Sequence, residues 1–407
     1  VRSMVSVVAA ALLVAATGGA AQAAPAATGP VFAPAGAEVV EGQYIVALKA
    51  TVGTASVASA ASSVAKAYGG TVRRTFARTM TGFVVTATEE QAARLAADPR
   101  VARVEADAIV RGADTQWYPI WNLDRVDQRS TVLDDAYSYP AQAGEGVTAY
   151  IMDTGVRTTH TQFGTRASVG FDAIGDGWNG QDCNEQGHGT HVAGTVGGTT
   201  YGLAPKAKLV SVRVLGCNNT GTVSQIIAGV EWITQNAVRP AVVNMSLGGG
   251  ESLLEENAIA ASINAGITYV VAAGNSDLDA CAYSPAGLAS AITVGAMNTI
   301  GERATGWGSP DPGSNYGTCL DLFAPGESIK SAHNATDRAT RALRGTSMAS
   351  PHVAGAVALI LSVYPSATPA QITTLLINNS TPNALRADTL RSSPNRLLFT
   401  PEIIPAP

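Results

Sequence analysis

The sequence predicts an α/β protein: a largely parallel sheet flanked by helices, preceded by a small α+β unit. Three observations carry this. From about residue 148 onward, short apolar runs alternate with longer segments of helical period, as in strands joined by crossover helices. The stretch 24–112 differs in composition, being rich in Ala and Val and lacking Cys, His and Trp. With 407 residues, 46% hydrophobic and only 14% charged, the chain can bury one large core and a smaller one. The net charge of −5 gives no reason to expect a nucleic-acid partner.

The elements follow in order. Residues 1–23 read as an export signal: Arg2, an apolar stretch over 4–14, and Ala21-Gln22-Ala23 as an A-x-A cleavage site. Its apolar core is shorter than the roughly 20 residues a spanning helix needs. No other segment reads as long and apolar enough to span a membrane. In the first unit, strands are expected over 43–48 and 82–86, and an edge strand over 101–110. Helices are expected over 56–68, stopped by Gly69-Gly70, and over 89–97, whose first turn is acidic. Two strand–helix–strand passes suggest a ferredoxin-like unit.

In the larger unit, Tyr150-Ile151-Met152-Asp153-Thr154-Gly155 ends a buried strand. Asp153 falls at its C-terminal end, the edge where reactive groups gather in open α/β sheets. Further strands are expected over 208–215, 241–247, 267–273 and 291–296, and helices over 223–238 and 253–265. A buried helix is expected over 353–361. A last helix starts at Thr368-Pro369, with Thr as N-cap and Pro in the first position. No internal repeat is evident.

The buried helix is preceded by Gly345-Thr346-Ser347-Met348-Ala349-Ser350-Pro351-His352. Alone, such a small-residue run is a packing device more often than a site. Unpaired N–H groups at a helix start would, however, suit a serine whose attack creates an oxyanion. Upstream stands Gly187-His188-Gly189-Thr190-His191-Val192-Ala193-Gly194. A serine nucleophile needs a base, and the base needs a carboxylate to set its tautomer; here the chain order is Asp, His, Ser. Val271-Ala272-Ala273-Gly274-Asn275 ends a strand in an amide, either a turn residue or a hydrogen-bond donor to a reacting group.

D-T-G, H-G-T-H-V-A-G and G-T-S-M-A-S-P-H-V-A-G, in this order, resemble the motifs of the subtilisin-like serine proteases (subtilases), in particular the proteinase K and aqualysin branch. The resemblance covers about residues 40–400. It implies a subtilisin-like fold and a secreted serine endopeptidase with Asp153, His188 and Ser347 as catalytic residues and Asn275 in the oxyanion hole. It implies that Ser246, Leu247 and Gly248 line one wall of the S1 pocket, and Ala272, Ala273 and Gly274 the other. Asn219, Thr220 and Gly221 match the edge strand that pairs with the substrate main chain. Broad specificity with an apolar or aromatic P1 residue follows. Residues 24–112 would be an inhibitory, chaperoning propeptide of a self-cleaving zymogen. Arg111-Gly112-Ala113-Asp114 would bracket the cut, and 113–407 would form the peptidase domain. Partners are then protein and peptide substrates and the chain's own propeptide. The mature protein would be a monomer with no membrane attachment and no organic cofactor. Two rivals remain. A silent peptide-binding relative needs a broken triad, and none is broken. An esterase of the α/β-hydrolase type needs G-x-S-x-G and the order Ser, Asp, His.

Four cysteines in an exported chain suggest two disulfides with three possible connectivities. The aqualysin resemblance implies Cys183–Cys217 and Cys281–Cys319. Against that pattern Glu185-Gln186 is inserted, lengthening the loop into His188. Of the histidines, His191 and His352 are expected to bond buried backbone, and His160 and His333 to lie on the surface. Zinc at His188 and His191 lacks a third ligand and an H-E-x-x-H motif. Calcium is implied by the resemblance: Asp321 with carbonyls of Ala289 and Ala291, and a second site at Asp124, Asp127 and Gln128. The alternative for these acids is surface salt bridges.

Overall fold

The central strands of the larger sheet are buried along their whole length, whereas residues 43–48 of the smaller sheet alternate in burial. The computed structural model describes residues 27–33, 39–108 and 113–400. They fall into two compact units that part between 108 and 113. The expected signal over 1–23, and Arg111 and Gly112 at the expected cut, lie outside the described residues.

The first unit runs β1 (Val31–Phe32), β2 (Val39–Leu48), α1 (Val57–Ala67), β3 (Thr71–Phe76), β4 (Gly82–Thr86), α2 (Glu89–Ala96) and β5 (Val101–Ala108). The sheet order is β1-β5-β2-β4-β3, with β2 antiparallel to both β4 and β5. From β2 to β5 this is the ferredoxin-like β-α-β-β-α-β pattern. Val57, Ala61 and Val64 of α1 pack with Val46, Phe83 and Val85 of the sheet. Thr88 and Gln91 form a closed capping box on α2. Strand β3 (T-V-R-R-T-F) was not expected; it is a mostly exposed edge whose polar run carries no alternation to read.

The second unit opens with a hairpin of β6 (Ala113–Trp117) and β7 (Ala136–Pro140) around α3 (Trp121–Val126). Then come β8 (Thr148–Asp153), β9 (Ala167–Asp172), α4 (His188–Gly197), β10 (Lys208–Arg213), α5 (Val223–Asn236) and β11 (Ala241–Met245). Next are β12 (Gly249–Gly250), α6 (Leu253–Asn264), β13 (Thr268–Ala272), β14 (Tyr283–Ser284), β15 (Ile292–Met297) and β16 (Leu322–Pro325). The series closes with β17 (Ile329–Ala332), β18 (Thr340–Leu343), α7 (Thr346–Val363), α8 (Pro369–Asn379), β19 (Thr381–Pro382) and β20 (Arg396–Leu397). The main sheet has nine strands in the order β19-β20-β16-β15-β13-β11-β8-β10-β9. All its pairings are parallel except β19 with β20.

Alternate residues of β8 serve opposite faces. Ala149 and Ile151 join the core under α4 and α7, whereas Tyr150 and Met152 join the core under α5 and α6. Helix α7 is long and apolar enough to cross a membrane, against the expectation that no such segment exists beyond the leader; 89% of that window is buried inside the protein. Its apolarity is that of a central core helix. Gly355 marks its close approach to α4: an added Cβ would lie 2.7 Å from the Leu203 Cβ and 3.1 Å from the Val196 carbonyl.

Candidate active site

Three adjacent strands, β8, β11 and β13, end at one sheet edge and deliver Asp153, Ser246 and, three residues past β13, Asn275. The strand order reverses between β8 and β11, where ligands bind in open α/β folds.

Asp153 is fully buried. Its Oδ1 accepts from the Thr154 N–H at 2.7 Å and from His188 Nδ1–H at 2.7 Å. That bond fixes the His188 tautomer and leaves Nε2 as the free base. Burial pulls the His188 pKa down, but Asp153, by charge and hydrogen bond, and then Asp182 outweigh it and hold it above the usual histidine value.

His188 begins α4, whose N-cap is Gly187 and has no capping side chain of its own. Two residues that the motifs do not contain supply the missing acceptors. Asp182 Oδ2 accepts from the Thr190 N–H at 3.0 Å and the Thr190 hydroxyl at 2.6 Å, and its Oδ1 from the Thr154 hydroxyl at 3.0 Å. Asn184 Oδ1 accepts from the Gln186 N–H at 3.0 Å and the His188 N–H at 3.3 Å. The loop with Glu185 and Gln186 is therefore folded back on Asn184, and the disulfide Cys183–Cys217 ties it to the segment after β10. The second disulfide is Cys281–Cys319.

Ser347 is the second residue of α7 and half-buried. Its hydroxyl donates to the Ser246 carbonyl at 3.2 Å. Beneath it runs a buried relay: Ser350 Oγ donates to Asn244 Oδ1, Asn244 Nδ2 to Ser246 Oγ, and Ser246 Oγ to the Ser347 carbonyl, at 2.8, 2.9 and 2.7 Å. As a first-turn residue, Ser347 has an N–H with no intrahelical acceptor. Asn275 Oδ1 accepts from both the N–H and the hydroxyl of Thr346, each at 2.9 Å. Because Thr346 N can only donate, the oxygen of that amide is identified and its NH2 points away from Thr346. Asn315 secures the loop behind, accepting from the Ser276 and Leu278 N–H groups and donating to the Ala273 carbonyl.

Two cavities meet at Ser347. One, about 300 Å³, is lined by Leu247, Gly248, Ala272, Ala273, Gly274 and Asn275, with exposed Asp311 as its one charged side chain. The other, about 390 Å³, is lined by Asn219, Thr220, Gly221, Ser246, Leu247 and Gly248, among others. Residues 219–221 belong to no strand here: Asn219 sits in a turn at φ 62°, and Gly216 N–H bonds the Thr220 carbonyl. An edge segment takes strand pairing only when a partner strand lies beside it.

His191 donates from Nε2 to the Ile329 carbonyl at 2.8 Å, and burial drives its pKa down to about 3. His352 donates from Nδ1 to the Met348 carbonyl at 2.7 Å, Asn122 donates to its Nε2, and burial drives it to about 4. Both are neutral core residues bonded to backbone, as expected. His160 corrects the surface expectation: it is 1% exposed, accepts from the Gln162 N–H and donates to the Ala339 carbonyl. A segment that includes Thr336–Ala339 covers it, and no local pattern in T-T-H-T-Q foretells that long-range cover. His333 is half-buried.

Among the described residues, Asp124, Asp127 and Asp321 form no salt bridge. Asp127 Oδ2 accepts from the Ser138 N–H at 2.7 Å, while its buried Oδ1 has no partner. Burial first, opposed by the Ser138 bond and reinforced by Asp134 and Asp124, pushes its carboxyl up to about 7. An orphaned buried carboxylate oxygen is a donor of the kind a hard divalent cation takes. Asp124 already accepts from the Asp134 and Asp135 N–H groups. Gln128 turns its amide nitrogen to the Ser130 and Val132 carbonyls. Asp321 accepts from Thr293 N–H at 2.8 Å, and burial pushes it to about 6; it lies beside the start of β15, which Ala291 precedes, and Ala289 is exposed nearby.

A model described as the subtilase family, Peptidase S8, matches residues 144–396, and one described as Peptidase inhibitor I9 matches residues 43–113. An "Extracellular serine proteinase" of Thermus sp. is 51% identical over 333 residues, 82% of this chain and 78% of that protein. "Alkaline serine exoprotease A" of Vibrio alginolyticus is 44% identical over 81% of this chain and 60% of that protein. A solved structure of a cold adapted subtilisin-like serine proteinase is 46% identical with a TM-score of 0.64, covering 70% of this chain and 98% of that one.

Proposed function

The chain belongs to the subtilase family of serine proteinases, and on that premise we propose that it is a secreted endopeptidase acting through Asp153, His188 and Ser347. The observation that carries the assignment is the buried 2.7 Å bond from His188 Nδ1 to Asp153, at the sheet edge that also presents Ser347 and Asn275. Ser347 Oγ turns from the Ser246 carbonyl and attacks the scissile carbonyl while His188 Nε2 takes its proton. The tetrahedral oxygen receives the Asn275 NH2 and the Ser347 N–H. His188 then protonates the leaving amine, and water repeats the cycle on the acyl-enzyme. The 300 Å³ cavity, walled by Gly and Ala backbone, takes the P1 side chain and suits an apolar or aromatic residue.

Residues 24–112 act as propeptide and inhibitor, supported by the inhibitor-family match over 43–113. The cut falls at Ala113 within two residues, at the start of strand β6, and the peptidase is a monomer over 113–407. Export follows from the leader over 1–23 and agrees with the extracellular Thermus relative. Calcium, when bound, would be held by Asp127 with Asp124 and Gln128, and by Asp321 with the carbonyls of Ala289 and Ala291, and would neutralise buried carboxylates.

Ser347→Ala tests the reading. The variant should neither hydrolyse a generic protein substrate nor release the segment before Ala113, as judged by N-terminal sequencing. Self-processing by the purified variant would overturn it.

A further inference from the structure

The 390 Å³ cavity beside Ser347 takes apolar side chains from Leu215, Val223, Ile226 and Leu247 among glycines and uncharged polar residues. Glu255 is its one charged side chain. It lines the same cavity, is 3% exposed, and its Oε1 has no hydrogen-bond partner. Burial, and then the charge of Glu256, pushes this carboxyl up to about 7. An unmet buried acceptor is costly to keep.

Helix capping does not account for it. Ser252-Leu253-Leu254-Glu255 is an S-x-x-E sequence at the start of α6, in which the glutamate would fold back on the N-cap N–H. Only half of that box forms: the Glu255 N–H reaches Ser252 Oγ at 3.4 Å. The Ser252 N–H bonds Ser284 Oγ instead, at 2.8 Å, and Ser284 donates to Glu256 Oε1 at 2.7 Å. At α5 and α8 the equivalent boxes close through Gln225 and Gln371. Glu256 and Ser284 thus take over the cap and release the Glu255 carboxyl to the cavity.

We propose that Glu255 makes this cavity a specificity site for a cationic substrate side chain, lysine or arginine, at a position flanking P1. The methylene stem would lie along the four apolar side chains while the terminal N–H groups meet the unpartnered oxygen. P1 itself goes to the other cavity, which holds Asn275. The inference rests on Ser347 being the nucleophile, because that residue fixes where the substrate backbone runs.

The test is steady-state kinetics on peptides with Phe at P1, in which each flanking position in turn carries lysine or its uncharged near-isostere norleucine. Wild type, Glu255→Leu and Glu255→Gln are compared, with thermal melts to confirm that each is folded. At one position wild type should favour lysine in kcat/KM by about tenfold or more. The ratio should fall in Glu255→Gln and invert in Glu255→Leu. A wild type that cleaves the norleucine peptide equally well at every position, or a lysine preference that survives in both variants, overturns the proposal. Cleavage that persisted in Ser347→Ala would instead overturn the nucleophile assignment and leave the lysine ratio readable, so the two failures are distinguishable.

Discussion

Asn275 shows how much one amide can be asked to do. Thr346 occupies its oxygen twice, so its NH2 is pre-aimed before substrate arrives. Asn275→Ala should lower kcat by about 10²–10³ with little change in KM, a magnitude taken from subtilisin, a member of the same family. As the proposed base, His188 would set the pH profile. It must be neutral to accept the proton, and its pKa is raised, so kcat/KM should fall as pH drops through a midpoint above 6.5. A rate–pH titration with an acidic limb at or below 6.5 would contradict the role of Asp153. At this scale Asp153, His188, Ser347 and Asn275 could be picked out as candidates because each sits in a motif whose spacing carries chemistry. Asp182, Asn244 and Asn315 were not. Each acts by bonding backbone or side chains brought in by other elements, and a lone polar residue in sequence gives no sign of such partners.

Among elements, the loop into His188 is held by two devices. Glu185 and Gln186 turn on Asn184, and Cys183–Cys217, 34 residues apart, ties the loop to the segment after β10. Replacing both cysteines by serine should cost about 4 kcal/mol by the loop-entropy argument. It should also lower kcat, because the loop positions the base; denaturant melts and kinetics on the same variant check both. The strands with continuous apolar runs, β8, β11, β13 and β15, were legible because burial on both faces leaves an unmistakable sequence trace. The edge strand β3 and the short strands β19 and β20 were not, since edges and two-residue pairings are made by their neighbours.

Across the whole molecule, a largely parallel sheet with two cores brings the candidate groups from distant segments to a single edge, and the carboxyls of Asp127 and Asp321 are pushed up by burial. If calcium binds them, a chelator should lower the Tm, by an amount equivalent to about 2.7 kcal/mol when calcium stands at 100 times its Kd. Asp127→Asn should lose much of that sensitivity, as read by calorimetry with and without chelator. The central claim remains that Ser347 is the activated nucleophile. Its most direct test is peptide mapping by mass spectrometry after treatment with a serine-directed phosphonylating inhibitor. One adduct on Ser347, formed in step with loss of activity and nearly abolished by His188→Ala, is the predicted result. Full inactivation with the adduct on another residue, or undiminished labelling of Ser347 without His188, would contradict it.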